Sequence, residues 1–135
     1  MATPTIVQSP LSPYLMVAGA ADAIDWYREV FGAIETTRFV GDDGRIGHAE
    51  LLIGRAVLML ADEYPELDLV GPIARGGTSV SLHLEVAVDD TYARAMAAGA
   101  SSVRGPEDQF HGNRNATIID PFGHRWMLSQ PITPA

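Results

Sequence analysis

The order of strand-like and helix-like patterns runs through this chain twice, and that repetition constrains its fold more than any other feature. Ile24, Tyr27 and Phe31 recur at the spacing of one helical face, and Gly32 falls where a left-handed turn would stop that helix. Asp22 is placed to cap its start. Pro13 to Val17 reads as a strand before the helix. Ile34 to Val40, Gly47 to Ile53 and Arg55 to Ala61 read as three strands after it, joined by Gly41-Asp42-Asp43-Gly44 and by Gly54. From Val80 the order restarts with a strand to Val86. A helix follows, opened by Asp89-Asp90, with Tyr92, Met96 and small alanines on its packing face and Gly99 at its end. Strands are expected near Ser101 to Arg104, Asn113 to Ile119 and Arg125 to Ser129. The interval from Val17 to Val86 is two residues longer than that from Gly32 to Gly99, so one short insertion brings the two copies into register.

A single βαβββ unit leaves one apolar sheet face uncovered, and a second unit supplies the cover. The expected fold is therefore α+β: two βαβββ modules forming a cupped mixed sheet with the helices outside and the concave face as the ligand site. The Pro-, Thr- and Ser-rich residues 1–11 read as a flexible arm. Residues 12–130 form one domain, with module one at about 12–61 and module two at 80–130. Between them, residues 62–79 carry Pro65, Pro72 and Gly76-Gly77 and read as a surface linker.

Composition removes several function classes. Seventeen acidic residues against nine basic ones give a net charge of −8, which repels a phosphate backbone, so nucleic acid is not an expected partner. The same charge would draw a cationic ligand, or act only to keep the surface soluble. There is no cysteine, which excludes disulfides and thiolate metal sites. No basic-then-apolar leader and no run near the ~20 apolar residues of a membrane span is present, so the expected location is the cytoplasm, with no membrane partner. Nucleophile elbows, phosphate-cradling glycine loops and paired zinc motifs are missing, and Gly76-Gly77 precedes a strand rather than a helix.

The segments AIDWYREVFGA (Ala23 to Ala33), HAELLIG (His48 to Gly54), VSLHLEV (Val80 to Val86), AMAAGA (Ala95 to Ala100) and DPFGHRW (Asp120 to Trp126) together resemble the vicinal-oxygen-chelate superfamily. More narrowly they are similar to its PhnB-like, glyoxalase/bleomycin-resistance branch, over Ser12 to Gln130. The resemblance implies the two-module fold found from the repeat, and a homodimer whose cavities the partner completes. It leaves function open, because that superfamily holds isomerases, lyases, dioxygenases, transferases and proteins that sequester a drug.

Metal-using members place His or Glu ligands on the first and fourth strand of each module, and the resemblance sets those positions at Ser12, Met59, Ser81 and Met127. A neutral hydroxyl binds weakly and a thioether is too soft for the usual divalent ions, so no metal and no cofactor is expected. The alternative is one divalent ion in a relocated site of His48, Glu50 and His83. Two residues of one strand, ~7 Å apart, chelate poorly unless a third bends in. By strand alternation His48 and Glu50 share a face, as do Ser81, His83 and Glu85. Each histidine is either hydrogen-bonded in place or, oriented by Glu50 or Glu85, a ligand contact or general base. Tyr14, Met16, Met59 and Met127 add an apolar, adaptable lining. Phe110 and Arg114 lie in a loop stretch that resembles the PhnB-like aromatic-Gly-x-Arg segment. Phe110 would cap a ligand, and Arg114 would bind an anion or an internal carboxylate. Asp120-Pro121-Phe122-Gly123 reads as a structural hairpin turn, and by alternation Trp126 faces the helix side.

The first functional reading is a metal-independent protein that binds a small organic molecule, cationic or aromatic, such as an antibiotic or other natural product held for resistance. The second is an isomerase- or lyase-like enzyme using His48, Glu50, His83 and Glu85 as acid and base groups, with or without a metal. A third is an accessory protein whose cavity is vestigial.

Overall fold

The computed structural model describes residues 10–132, so residues 1–9 of the expected arm lie outside the described region. The chain divides between Gly71 and Pro72 into two compact units. In the first, β1 (Tyr14–Val17), α1 (Ala20–Phe31), β2 (Ile34–Val40), β3 (Ile46–Ile53) and β4 (Ala56–Asp62) form a four-stranded sheet in the order β1-β4-β3-β2. Its β1–β4 pair is parallel and the others antiparallel. In the second unit β5 (Ser81–Glu85), α3 (Val88–Ala97), β6 (Ser101–Asp108), β7 (Asn113–Ile119) and β8 (Arg125–Pro131) repeat that plan as β5-β8-β7-β6, with β5–β8 parallel. These are the two expected βαβββ modules of an α+β fold.

Alternation sets what each sheet buries. Leu15, Val17, Ala49, Leu51, Leu58 and Leu60 are buried, and α1 packs on this face through Ala20, Ala23, Ile24, Tyr27 and Val30. Each large side chain so buried contributes about 2 kcal/mol. The second unit buries Ala116, Ile118, Trp126 and Leu128 together with Val88, Thr91 and Ala95 of α3. The buried stripe of α3 is thus Val88, Thr91 and Ala95, while Tyr92 and Met96 are only half-buried beside it. Small residues let that helix sit close to its sheet.

Both helices start earlier than the sequence implied, because their caps come from far along the chain. Gly19, in a left-handed conformation, is the residue before α1, and Asp22 lies inside the first turn. The amide of Ala20 donates instead to Asp62 Oδ1 at 2.7 Å, and Asp62 Oδ2 also accepts from Ile46 N at 2.7 Å. In the second unit α3 begins at Val88, so Asp89 and Asp90 fall within its first turn. Val88 N donates to Gln130 Oε1 at 2.6 Å. The partner lies 42 residues on in each case, which extends the repeat to the side chains that bind the helix starts.

Two further departures concern loops. Strand β6 runs past Arg104 to Asp108, with its pairing to β7 interrupted between Arg104 and Glu107. Pro106 sits in that irregularity on an edge strand, where its missing N–H costs no ladder bond. The segment expected as a linker is partly ordered, with a 3₁₀ turn at Pro65–Leu67 and a short helix, α2, at Pro72–Arg75. Among the described residues no helix is long and apolar enough to cross a membrane.

Candidate functional site

The sheet face of the first unit turned away from α1 gathers five of the residues expected to meet a ligand. Across it Tyr14 stands opposite Met59, Met59 opposite Glu50, and Glu50 opposite Thr37. The adjoining row pairs Met16 with Ala61 and His48 with Phe39. Met16, His48, Glu50 and Met59 are half-buried, and Tyr14 is 44% exposed. Strand pairing therefore brings together side chains that are far apart in the sequence.

Three of these groups form a chain of hydrogen bonds. His48 Nε2 lies 2.8 Å from Glu50 Oε2, and His48 Nδ1 lies 2.8 Å from the Tyr14 hydroxyl. A carboxylate only accepts, so Nε2 carries the proton, Nδ1 offers its lone pair, and Tyr14 O–H donates to it. Gly47 O, at 3.4 Å, is a second and longer acceptor for that hydroxyl. The His48 ring is flanked on one side by Tyr14, with centroids 5.4 Å apart, and on the other by Phe39 at 6.2 Å. Partial burial, then the negative charge of Glu50, then Tyr64, raise the Tyr14 pKa above the ordinary tyrosine value, which keeps the phenol protonated.

This arrangement accepts more than it donates. With its proton committed to His48, the Tyr14 oxygen still offers a lone pair, and Glu50 keeps acceptor capacity beyond its bond to His48. Glu50 bonds to no arginine among the described residues. The face thus combines one carboxylate, three rings and two thioethers, a setting that suits a cation or N–H donor carried beside an aromatic group.

The remaining expected residues, His83, Glu85, Phe110, Arg114 and Met127, belong to the second unit. His83 lies opposite Met127, which lies opposite Thr117, and Ser81, His83 and Glu85 are exposed at alternate positions of β5. Glu85 stands opposite Ser129, which is 2% exposed, and Ser129 opposite Asn115. The Asn115 Oδ1 atom is buried with no hydrogen-bond partner among the described residues. Phe110, 101% exposed, projects from the β6–β7 loop with its ring edge-on to His111. Arg114 is committed to Asp89 by two bonds of 2.9 Å and to Asp108 by another of 2.9 Å. Asp120 accepts from the amides of Phe122 and His124 and from Trp126 Nε1, so it holds the β7–β8 turn together.

The donor set does not fit the superfamily's chelate. Ser12 precedes β1, Met59 and Met127 are thioethers, and Ser81 pairs with Arg125. Both ring nitrogens of His48 are already bonded. No group of three His, Asp or Glu side chains able to hold an ion is assembled among the described residues. Phe39 escaped the sequence reading, although it lies in the expected β2. A register shift at the Phe39/Val40 step hides which face it takes until its pairing with His48 is known.

Comparison with known proteins agrees with the repeated module. Residues 9–128 match the family model of the Glyoxalase/Bleomycin resistance protein/Dioxygenase superfamily. The chain belongs to that superfamily. Among relatives of this superfamily member, the uncharacterized protein Mb0911c of Mycobacterium bovis is 44% identical over 130 residues, covering 93% of this chain and 86% of that protein. The crystal structure of TioX from Micromonospora sp. ML1 superposes with a TM-score of 0.69 at 27% identity, covering 94% of this chain and 99% of that one. A PhnB protein from Bacillus cereus shares the fold, with a TM-score of 0.67 at 17% identity and 90% and 98% of the two chains covered.

Proposed function

We propose that this glyoxalase/bleomycin-resistance superfamily member binds a small organic molecule without a metal, on the face of its first sheet turned away from α1. The ligand class is a protonated or N–H-bearing aromatic compound, and the role is sequestration of an antibiotic or other natural product. The observation that carries this reading is the Tyr14–His48–Glu50 chain. Using His48 as a metal ligand would break a bond at one of its nitrogens, at a cost of about 1 kcal/mol, on a sheet whose own chelate positions hold Met59 and, just before β1, Ser12. Left intact, the chain presents fixed acceptors and ring faces at no cost of reorganisation. A homodimer in the cytoplasm is the proposed acting species.

The same hydrogen bonds supply a second reading, because a phenol linked through an imidazole to a carboxylate can pass a proton to or from a bound molecule. Calorimetric titration with tryptamine and with its anionic counterpart indole-3-propionate, in the presence of EDTA, tests the first. Tryptamine should bind about tenfold tighter, and Glu50→Gln should remove that preference. Equal affinities, or loss of binding on adding EDTA, would overturn the proposal. Turnover of a bound compound that disappears in His48→Gln would favour the acid–base reading instead.

A further inference from the structure

We propose that a pocket of the second unit, with Arg125 in its lining, takes a small organic carboxylate with an apolar body. The pocket is a depression of about 290 Å³ whose walls include Pro72 and Ile73 of α2, Thr78, Ile119, Gly123 and Arg125. It lies wholly within residues 72–125 and shares no residue with the Tyr14–His48–Glu50 face.

Three arginines of this chain are half-buried: Arg45, Arg114 and Arg125. Arg45 is neutralised by Asp43 and Glu66, and Arg114 by Asp89 and Asp108. Arg125 has no carboxylate partner among the described residues, in a chain whose acids outnumber its bases. Its strand neighbours, Ser81 and Ile119, bring no charge. A partly desolvated guanidinium is poorly stabilised without an anion, and it presents a planar fork of donors matched to a carboxylate.

The other walls narrow the ligand further. The amides of Gly76 and Gly77 are used up closing α2, on Ile73 O and Pro72 O, so no nest of free amides awaits a phosphate. Thr78 Oγ1 accepts from Val80 N at 3.1 Å, which leaves its hydroxyl proton to donate. Pro72, Ile73 and Ile119 offer apolar surface for the rest of the molecule. The shape is fixed from behind by Gly123, at φ +94°. A Cβ there would stand 3.0 Å from Pro72 Cβ and 3.1 Å from Ile73 Cγ1, so α2 rests directly on the β7–β8 turn.

Amide-resolved NMR titration of the full chain with sodium benzoate, benzamide and inorganic phosphate tests this assignment. Benzoate should shift the amides of Thr78, Gly123 and Arg125 saturably, with benzamide and phosphate about tenfold weaker. Arg125→Gln should reduce benzoate affinity by a similar factor with the rest of the spectrum unchanged. If that variant disturbs the fold, Arg125→Lys, which keeps the charge but not the fork, should still bind more weakly than the parent protein. No response to benzoate, an equal response to benzamide or phosphate, or undiminished binding by the folded arginine variants would overturn the proposal.

Discussion

Tyr14 shows how much one residue's chemistry depends on neighbours that its local sequence does not contain. Its hydroxyl meets His48, 34 positions away, and partial burial followed by the charge of Glu50 raises its pKa above 10.0. The folded protein therefore keeps this proton at a pH where the unfolded chain loses it. The stabilisation is present below the ordinary tyrosine value and disappears as pH climbs through the raised one. In an absorbance titration of phenolate, Tyr14→Phe should delete one step from above the ordinary range, and Glu50→Gln should shift that step downward. A Tyr14→Phe variant that loses its step from the ordinary tyrosine range, with no shift of that step in Glu50→Gln, would remove the hydrogen-bonded chain from consideration. Asp120 acts through the same principle in the interior, where its Oδ2 accepts the Trp126 indole N–H at 2.8 Å. Asp120→Ala leaves that donor and two turn amides unmet, which should cost about 3 kcal/mol in urea unfolding. A loss within experimental error of zero would mean that solvent replaces the carboxylate.

Among the elements, the helix starts are the parts that local sequence described least well. Asp22 has the right chemistry for a cap, yet α1 begins two residues earlier, where Asp62 at the end of β4 reaches its first amide. Gln130 does the same for α3 from β8. Removing Asp62 frees two amides, those of Ala20 and Ile46, whereas removing Gln130 frees one. Asp62→Ala should accordingly cost about 2 kcal/mol and Gln130→Ala about 1 kcal/mol, read as shifts in the urea midpoint. The reverse order would show that the carboxylate's own desolvation offsets its second bond. The helix end, by contrast, was readable: Gly32 has φ +69° and its amide bonds back to Arg28 O. Nothing lies within 4 Å of a Cβ added there, so Gly32→Ala should cost about 1 kcal/mol from backbone strain alone.

Across the whole molecule the acidic charge is partly organised around two arginines. Asp43 is lowered below its ordinary pKa of 3.8 mainly by the Arg45 backbone amide and then by its side chain. Glu66 is lowered from 4.5 mainly by the Arg45 side chain, and Asp89 from 3.8 mainly by Arg114. A depressed carboxylate stabilises the fold above its ordinary pKa and ceases to do so as pH falls through the depressed value. The thermal midpoint should therefore drop on acidification from about pH 5 to about pH 3, and less steeply in an Arg45→Gln, Arg114→Gln double variant. Added salt should blunt the same difference, since these groups face solvent.

Periodicity and punctuation by themselves determined that this chain makes two βαβββ modules, where most strands lie, and that His48 with Glu50, and His83 with Glu85, share strand faces. Those properties are local, because a side chain's direction on a strand or helix follows from its spacing to near neighbours. Tertiary structure alone decided that Tyr14 and Phe39 bracket His48, that Asp62 and Gln130 bind the helix starts, that Arg114 is already neutralised, and that Arg125 is not. Each depends on strand order, register or a bulge, and these are fixed by how distant segments pair and pack rather than by any residue's immediate neighbours.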